Sequence, residues 1–116
     1  VAVETRSKRT LSQAVVRMQA AAAATGNGKA VDVSGMQKGA IEVDITGTGT
    51  VIFEGTINGV IWTAVRGLDL SAATETWVTS VAADKIIQFD VSGLLQIRAR
   101  ISAVSGSIEA WGHFQG

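Results

Sequence analysis

The only histidine, His113, follows Trp111 by two residues and precedes Phe114. Imidazole moves protons near neutral pH, and serines and aspartates are plentiful enough to write a Ser-His-Asp relay on paper. Such a relay needs an activated nucleophile and a base oriented by an acid, and the chain contains no nucleophile elbow. His113 therefore reads as a surface strand residue. The carboxylates Glu42, Asp44, Glu54, Asp90 and Glu109 offer material for an acid/base pair. Most alternate with apolar residues, which is the pattern of a solvated strand face. No catalytic residue is assigned, and the chain is read as a non-enzyme.

Metal and phosphate chemistry fare no better. With no cysteine, thiolate sites and disulfides are excluded, and no loop is dense enough in acids to give calcium about six oxygen ligands. No metal or cofactor is assigned. Gly26-Asn27-Gly28-Lys29 lacks the spacing and following helix of a phosphate loop and reads as a turn. Arg98 and Arg100 share one strand face, with Lys85 near in sequence; they could grip an anion, but pairing with Glu54, Glu109 or another acid is the favoured reading. Trp62, Trp77 and Trp111 could stack on a sugar, or anchor a core short of aromatics.

The elements that must carry these residues are strands. Ile41, Val43 and Ile45 alternate with Glu42, Asp44 and Thr46, the period of a half-buried antiparallel strand. Val51, Phe53, Gly55 and Ile57 continue the phase. Asn58-Gly59 then predicts a tight type I′ hairpin, with a return strand over Val60–Val65. Trp77–Val81 reads as a short strand suited to an edge, and Ile86, Ile87, Phe89 and Val91 mark the next. In the strand Leu95–Ser102, Leu95, Ile97, Ala99 and Ile101 face one side. After a Ser105-Gly106 turn, Ile108, Ala110, Gly112 and Phe114 oppose Glu109, Trp111 and His113. Residues 10–24 are ambiguous: Leu11, Ala14, Val15, Met18 and Ala22 fit a helical face and five alanines favour helix, but Val15-Val16 is β-branched.

One phrase is written twice: Asp-Val-Ser-Gly-Met at Asp32–Met36 and Asp-Val-Ser-Gly-Leu at Asp90–Leu94. The residues after each copy also match, with separations of 58 residues at Asp32/Asp90, 56 at Ile45/Ile101 and 57 at Gly55/Gly112. The echo predicts two similar hairpins packed face to face. Aspartate and serine in each copy suit capping of their own turn, and glycine supplies the unusual φ. The expected fold is all-β: an antiparallel, jelly-roll-like β-sandwich of about eight strands with an extended N-terminal arm.

At 116 residues the chain suffices for one domain, divided into a basic arm (1–17) and a sandwich (18–116). Residues 1–19 hold Arg6, Lys8, Arg9 and Arg17 against Glu4, a charge of +3; the rest holds six basic and nine acidic residues, a charge of −3. This split makes Arg6, Lys8, Arg9 and Arg17 the expected partner contacts, although a solvated tail would read the same way. Zero net charge without basic–aromatic interleaving argues against nucleic acid. No run approaches the ~18 apolar residues of a membrane span, the start lacks the apolar stretch of a secretory signal, and no membrane partner is assigned.

Three segments carry a family likeness: Ala22–Gly35, Val51–Trp62 with Phe-Glu-x-x-x-Asn-Gly-x-x-Trp, and Val91–Ser102 with Arg-x-Arg-x-Ser. Through them Ala22–Phe114 resembles small β-sandwich modules of the virion proteins of tailed bacteriophages and prophages. The resemblance implies a strand from about Val15 and a structural role without catalytic residues. It implies a place in the virion, assembled in the host cytoplasm, as a capsid decoration, head-fibre or tail-associated subunit. The partners then expected are the major capsid protein or other virion proteins and further copies of the chain, a trimer favoured. The alternative is a carbohydrate-binding module recognising host-surface glycans through exposed tryptophans.

Overall fold

The computed structural model describes residues 15–116, and in them every regular element is a strand. Nine follow in order: β1 (Val16–Ala22), β2 (Val31–Asp32), β3 (Lys38–Thr56), β4 (Thr63–Ala64), β5 (Gly67–Asp69), β6 (Trp77–Val78), β7 (Ser80–Val81), β8 (Lys85–Asp90) and β9 (Gln96–Gln115). The ambiguous segment thus resolves as strand from Val16; residues 1–14, with most of the expected arm, lie outside the described residues, whereas Val16 and Arg17 of that arm belong to β1.

Two long strands organise the rest. β3 and β9 pair antiparallel from Lys38↔Gln115 to Thr56↔Gln96. One end of this ladder carries β1 beside β9 and β8 beside β3, followed by β5 and β6. The other end carries β2 beside β9 and β4 and β7 beside β3. The ladder therefore belongs to both layers of the sandwich, and it must turn between them near its middle. Gly47 pairs with Gly106 there, at φ of 93° and 114°. A Cβ on Gly47 would run into the Ser105 carbonyl oxygen, and one on Gly106 into that of Thr46. Only glycine supplies both the left-handed φ and the close approach.

The expected all-β antiparallel sandwich forms, but the two copies pair differently within it. The turn read at Ser105-Gly106 is a corner within a continuous strand, matched by a corner at Gly47 in β3, and the repeat copies pair edge to edge instead of forming two hairpins stacked face to face. A second feature of the corner sets the burial phase. Thr50 faces Ala103 but Val51 faces Ile101, so Ser102 is the extra residue of a β-bulge. β9 consequently buries Ile97, Ala99 and Ile101 before the corner and Ile108, Ala110 and Phe114 after it, while β3 keeps odd positions inward throughout. That is why the copies stand an even number of residues apart at Asp32/Asp90 and an odd number at Gly55/Gly112.

The repeated phrase is duplicated in its bonds. Asp32 and Asp90 accept the N–H of Ser34 and Ser92 at 2.9 and 3.0 Å. Met36 N–H donates to Val33 and Leu94 N–H to Val91, with Gly35 and Gly93 at φ of 80° and 87°. Val33 N–H bonds the Leu95 carbonyl, and Val91 N–H bonds that of Gln37, each at 2.9 Å. The two turns are therefore related by a local two-fold through the β3/β9 ladder. They carry the chain between layers at the end away from the glycine corner.

The core lies between the layers: Phe53, Phe89, Phe114, Ile41, Ile87, Ile97, Ile101 and Ile108 are fully buried. Phe53 and Phe89 meet edge to face at 5.0 Å, tying β3 in one layer to β8 in the other. Gln19 reaches out of β1 to the Ala99 carbonyl at 2.7 Å, a buried polar stitch across the core. The run Trp77–Val81 splits at Thr79: Trp77 and Val78 pair with β5, whereas Ser80 and Val81 pair with β3. Leu95 is more exposed than its alternation implies, and Ile57 leaves the core phase altogether.

Gly106→Ala should lower stability by about 2 kcal/mol or more, since it adds a steric clash to the cost of a left-handed φ. Gly93→Ala, with open space around its Cβ, should cost about 1 kcal/mol. Thermal melting of both variants checks the order; equal losses would remove the special role of the corner.

Candidate functional site

Polar chemistry is concentrated in two clusters, one on the outer face of each layer. In the first, Glu54 of β3 faces Arg98 of β9 across the ladder. The Glu54 carboxylate accepts from Arg98 at 2.8–2.9 Å and from Arg100 at 3.1 Å, and the Arg98 guanidinium lies 4.0 Å from the centre of the Trp62 ring. Both arginines thus pair with an acid, as the alternation favoured, and the motif residues of the resemblance meet at one place. Lys85 does not join them; it pairs with Asp69 at 3.2 Å. Burial pushes the Glu54 carboxyl up, but the hydrogen bonds and charges of Arg100 and Arg98 together outweigh it and hold the group below its ordinary value.

The second cluster is centred on Glu109. Arg17 of β1 donates to it at 2.6 Å and the Trp111 indole N–H at 3.0 Å, with the Arg17 guanidinium 5.5 Å from the Trp111 ring centre. Hydrogen bonds from Arg17 and then Trp111 hold the Glu109 carboxyl low. Alongside runs an open groove of about 450 Å³ lined by Glu42, Asp44, Asp84, Lys85, Glu109 and Trp111. Asp84 is partly engaged, accepting the Ile45 N–H at 2.8 Å.

The sequence-level candidates are dispersed by the fold. Arg17 lies in β1 and is bound to Glu109; Arg6, Lys8 and Arg9 lie outside the described residues. His113 is exposed on β9, one strand position past the Trp111 cluster on the same face. Asp90 caps its turn, where hydrogen bonds from Ser92 hold its carboxyl low. Among the described residues no group of three or more His, Cys, Asp or Glu side chains is arranged to hold a metal.

The tryptophans are not core anchors. Trp77 and Trp111 are exposed and Trp62 is half-buried, so phenylalanine supplies all the buried aromatic rings. Each tryptophan instead lies beside an arginine, the third pair being Arg66 and Trp77 at 4.5 Å. Trp62 and Trp111 stand in different layers and Trp77 at the outer strand of the β1-bearing layer, so they make no common sugar platform. A surface indole gains cation–π attraction from the guanidinium and keeps its N–H free for an acceptor, as Trp77 does with Glu75 at 2.9 Å. Alternation along β9 places Arg98 outward, but nothing local announces that Trp62 will cover it.

These features define an antiparallel β-sandwich with outward-facing clusters of paired charges. A family model for XepA matches residues 12–113, and the chain belongs to the XepA family. The crystal structure of the SPBc2 prophage-derived protein YomS superposes with a TM-score of 0.82 at 15% identity, over 89% of this chain and 92% of that one. The PBSX exported protein XepA gives a TM-score of 0.82 at 22% identity, over 89% of this chain but 37% of that one. The chain thus spans little more than a third of XepA. No curated protein sequence matches.

Glu54→Gln should destabilise the fold by about 2 kcal/mol, by leaving two half-buried guanidinium groups without their anion. Chemical denaturation of the variant measures it, and a loss within error of zero would reduce the cluster to decoration. Glu54, Asp69, Asp90 and Glu109 all have lowered folded pKa values. Their contribution is complete above the unfolded carboxylate range near ~4 and is lost as pH falls through the folded values. The melting temperature should therefore hold between about pH 5 and 6 and drop below about pH 4.

Proposed function

We propose that this protein is a non-enzymatic structural module of a bacteriophage or prophage, acting by adhesion to other components of the particle. The observation that carries the reading is membership of the XepA family, together with a fold shared with two prophage-encoded proteins. The side-chain arrangement supports it: the charged groups of both outer clusters are spent on one another, and His113 stands on an open strand face. In finer form, the module is a capsid decoration or head-fibre subunit of the virion. The basic residues Arg6, Lys8 and Arg9 would anchor it on the major capsid protein, and copies would associate, a trimer favoured.

Arg17 is less available for that anchoring, because it is already bound to Glu109. Removing residues 1–14 should leave the sandwich folded, as read by an unchanged melting temperature, and abolish incorporation into particles. Incorporation at the wild-type level would refute the anchoring role. Purified protein should turn over no ester, glycoside or phosphoester.

A second reading has one observation in its favour. The groove beside Trp111 combines an aromatic wall with Glu42, Asp44 and Lys85, a combination able to stack on a sugar ring and bond its hydroxyls. Host-surface glycans should then quench tryptophan fluorescence in the wild type and fail to do so in Trp111→Ala. Silence across cell-wall and capsular sugars would remove the glycan option.

A further inference from the structure

Asparagine occurs twice in the chain, and glycine follows it both times: Asn27-Gly28 and Asn58-Gly59. That dipeptide carries its own chemistry. The glycine nitrogen is not screened by a Cβ and can attack the asparagine side-chain carbonyl, a reaction that makes asparagine thermolabile. Both pairs are exposed, so access to water does not separate them. Their hydrogen bonds do.

The connection between β3 and β4 departs most from its expected form, and it restrains Asn58. Gly55 faces Thr63, so the reversal is a seven-residue loop, Thr56–Trp62, and not a two-residue type I′ turn. Gly59 takes the positive φ of 79° while Asn58 does not. Asn58 Oδ1 accepts the N–H groups of Val60 and Ile61 at 2.8 and 2.9 Å, and the Thr56 hydroxyl at 3.2 Å. Thr56 Oγ1 accepts the N–H of Asn58 at 3.3 Å and that of Gly59, the attacking nitrogen, at 2.9 Å. Freeing that nitrogen and letting the amide turn towards it costs these bonds.

Asn27 has neither restraint. Among the described residues its side chain makes no hydrogen bond, and the Gly28 N–H donates to no acceptor. The fold nevertheless demands glycine at 28: φ is 64°, and a Cβ would collide with the Met18 carbonyl oxygen and the Gln19 side chain. On either side the chain is anchored. Gly26 exchanges N–H···O bonds with Ile101 at 3.1 and 2.8 Å, and the Lys29 N–H donates to the Met18 carbonyl at 2.9 Å. The Gly26 carbonyl also accepts from Gln19 Nε2 at 3.3 Å, the same amide that reaches Ala99. Asn27-Gly28 is the link between these anchors.

We propose that Asn27-Gly28 is a self-modifying site, needing only water, whose conversion loosens the fold, and that the β3–β4 loop spares Asn58. The inference goes beyond the structural-module reading and does not rest on it. The Gly28 nitrogen gives its proton to hydroxide and bonds to Asn27 Cγ. The Cγ–Nδ2 bond breaks, and Nδ2 takes up a proton and leaves as ammonia. Water then opens the cyclic imide. Cleavage between the nitrogen and Cγ leaves aspartate; cleavage between the nitrogen and the main-chain carbonyl carbon leaves isoaspartate, with Cβ now in the backbone. The isoaspartate link is a methylene longer, between anchors whose spacing the strands fix. The Gly26 and Lys29 bonds and the buried Gln19 stitch are then in conflict.

The test incubates the full chain in mildly alkaline buffer below its melting temperature, beside a sample unfolded in denaturant. Peptide mapping by mass spectrometry, with aspartate and isoaspartate forms separated, follows both sites. The unfolded chain should convert at both asparagines at similar rates. The folded chain should convert at Asn27, and at Asn58 at least about tenfold more slowly, the cost of giving up one or two hydrogen bonds of ordinary strength. Folded protein carrying isoaspartate in place of Asn27 should melt below the fresh chain. Asn27→Gln, whose longer side chain closes the ring far less readily, should pass through the same incubation with its melting temperature unchanged. A folded chain in which Asn27 survives as long as Asn58, or outlasts it, would overturn the proposal. So would an isoaspartate fraction that melts with the fresh chain.

Discussion

The paired glycine corner, Gly47 against Gly106, is the constraint on which the rest of the molecule hangs. A ladder this long cannot bury one face against itself unless it turns back, and side chains at the turn would collide with the opposing carbonyls. Two glycines let both strands turn together without unpairing. Each layer of the sandwich then has a ready-made central pair, and the short strands need only add to its edges. This explains how two-residue elements such as β2, β4 and β7 are held: each borrows its order from a neighbour in the long ladder.

The corner also governs the surface. Because β9 changes its inward phase at the Ser102 bulge while β3 does not, Arg98 and Arg100 face outward in one layer, and Glu109 and Trp111 in the other. Their partners come from chain segments far away in sequence, Glu54 for the first cluster and Arg17 for the second. Arg98 and Arg17 each lie over or beside an indole, so the flat polar faces of the sandwich are covered by self-paired groups. The end of the molecule opposite the corner is different in kind. It holds the duplicated turns and a loop without charged residues that exposes Ile57, Val60 and Ile61.

Much of this is legible in the strands. The alternations at Ile41–Ile45, Val51–Gly55 and Ile108–Phe114 name the inward residues correctly, because a period of two has only one sensible burial. Asp32 and Asp90 are readable as self-capping turns, since the bond they make spans two residues. The hairpin at Asn58-Gly59 is placed correctly by its residue types but shaped differently: Thr56 and Asn58 capture the backbone donors that a tight turn would have given to the opposite strand. Composition alone makes the tryptophans look like core anchors, because it does not register that arginines supply their partners.

What the sequence settled by itself was what depends on near neighbours: the strand periodicity, the glycine turns and the duplicated phrase. Whether the two copies would stack as separate hairpins or zip into one bent ladder was decided only in three dimensions. Both arrangements bury the same side chains, and the choice rests on backbone bonds between residues up to about eighty positions apart. The charge clusters and the exposed Ile57–Ile61 tip derive from that choice, which is why no local pattern foretold them.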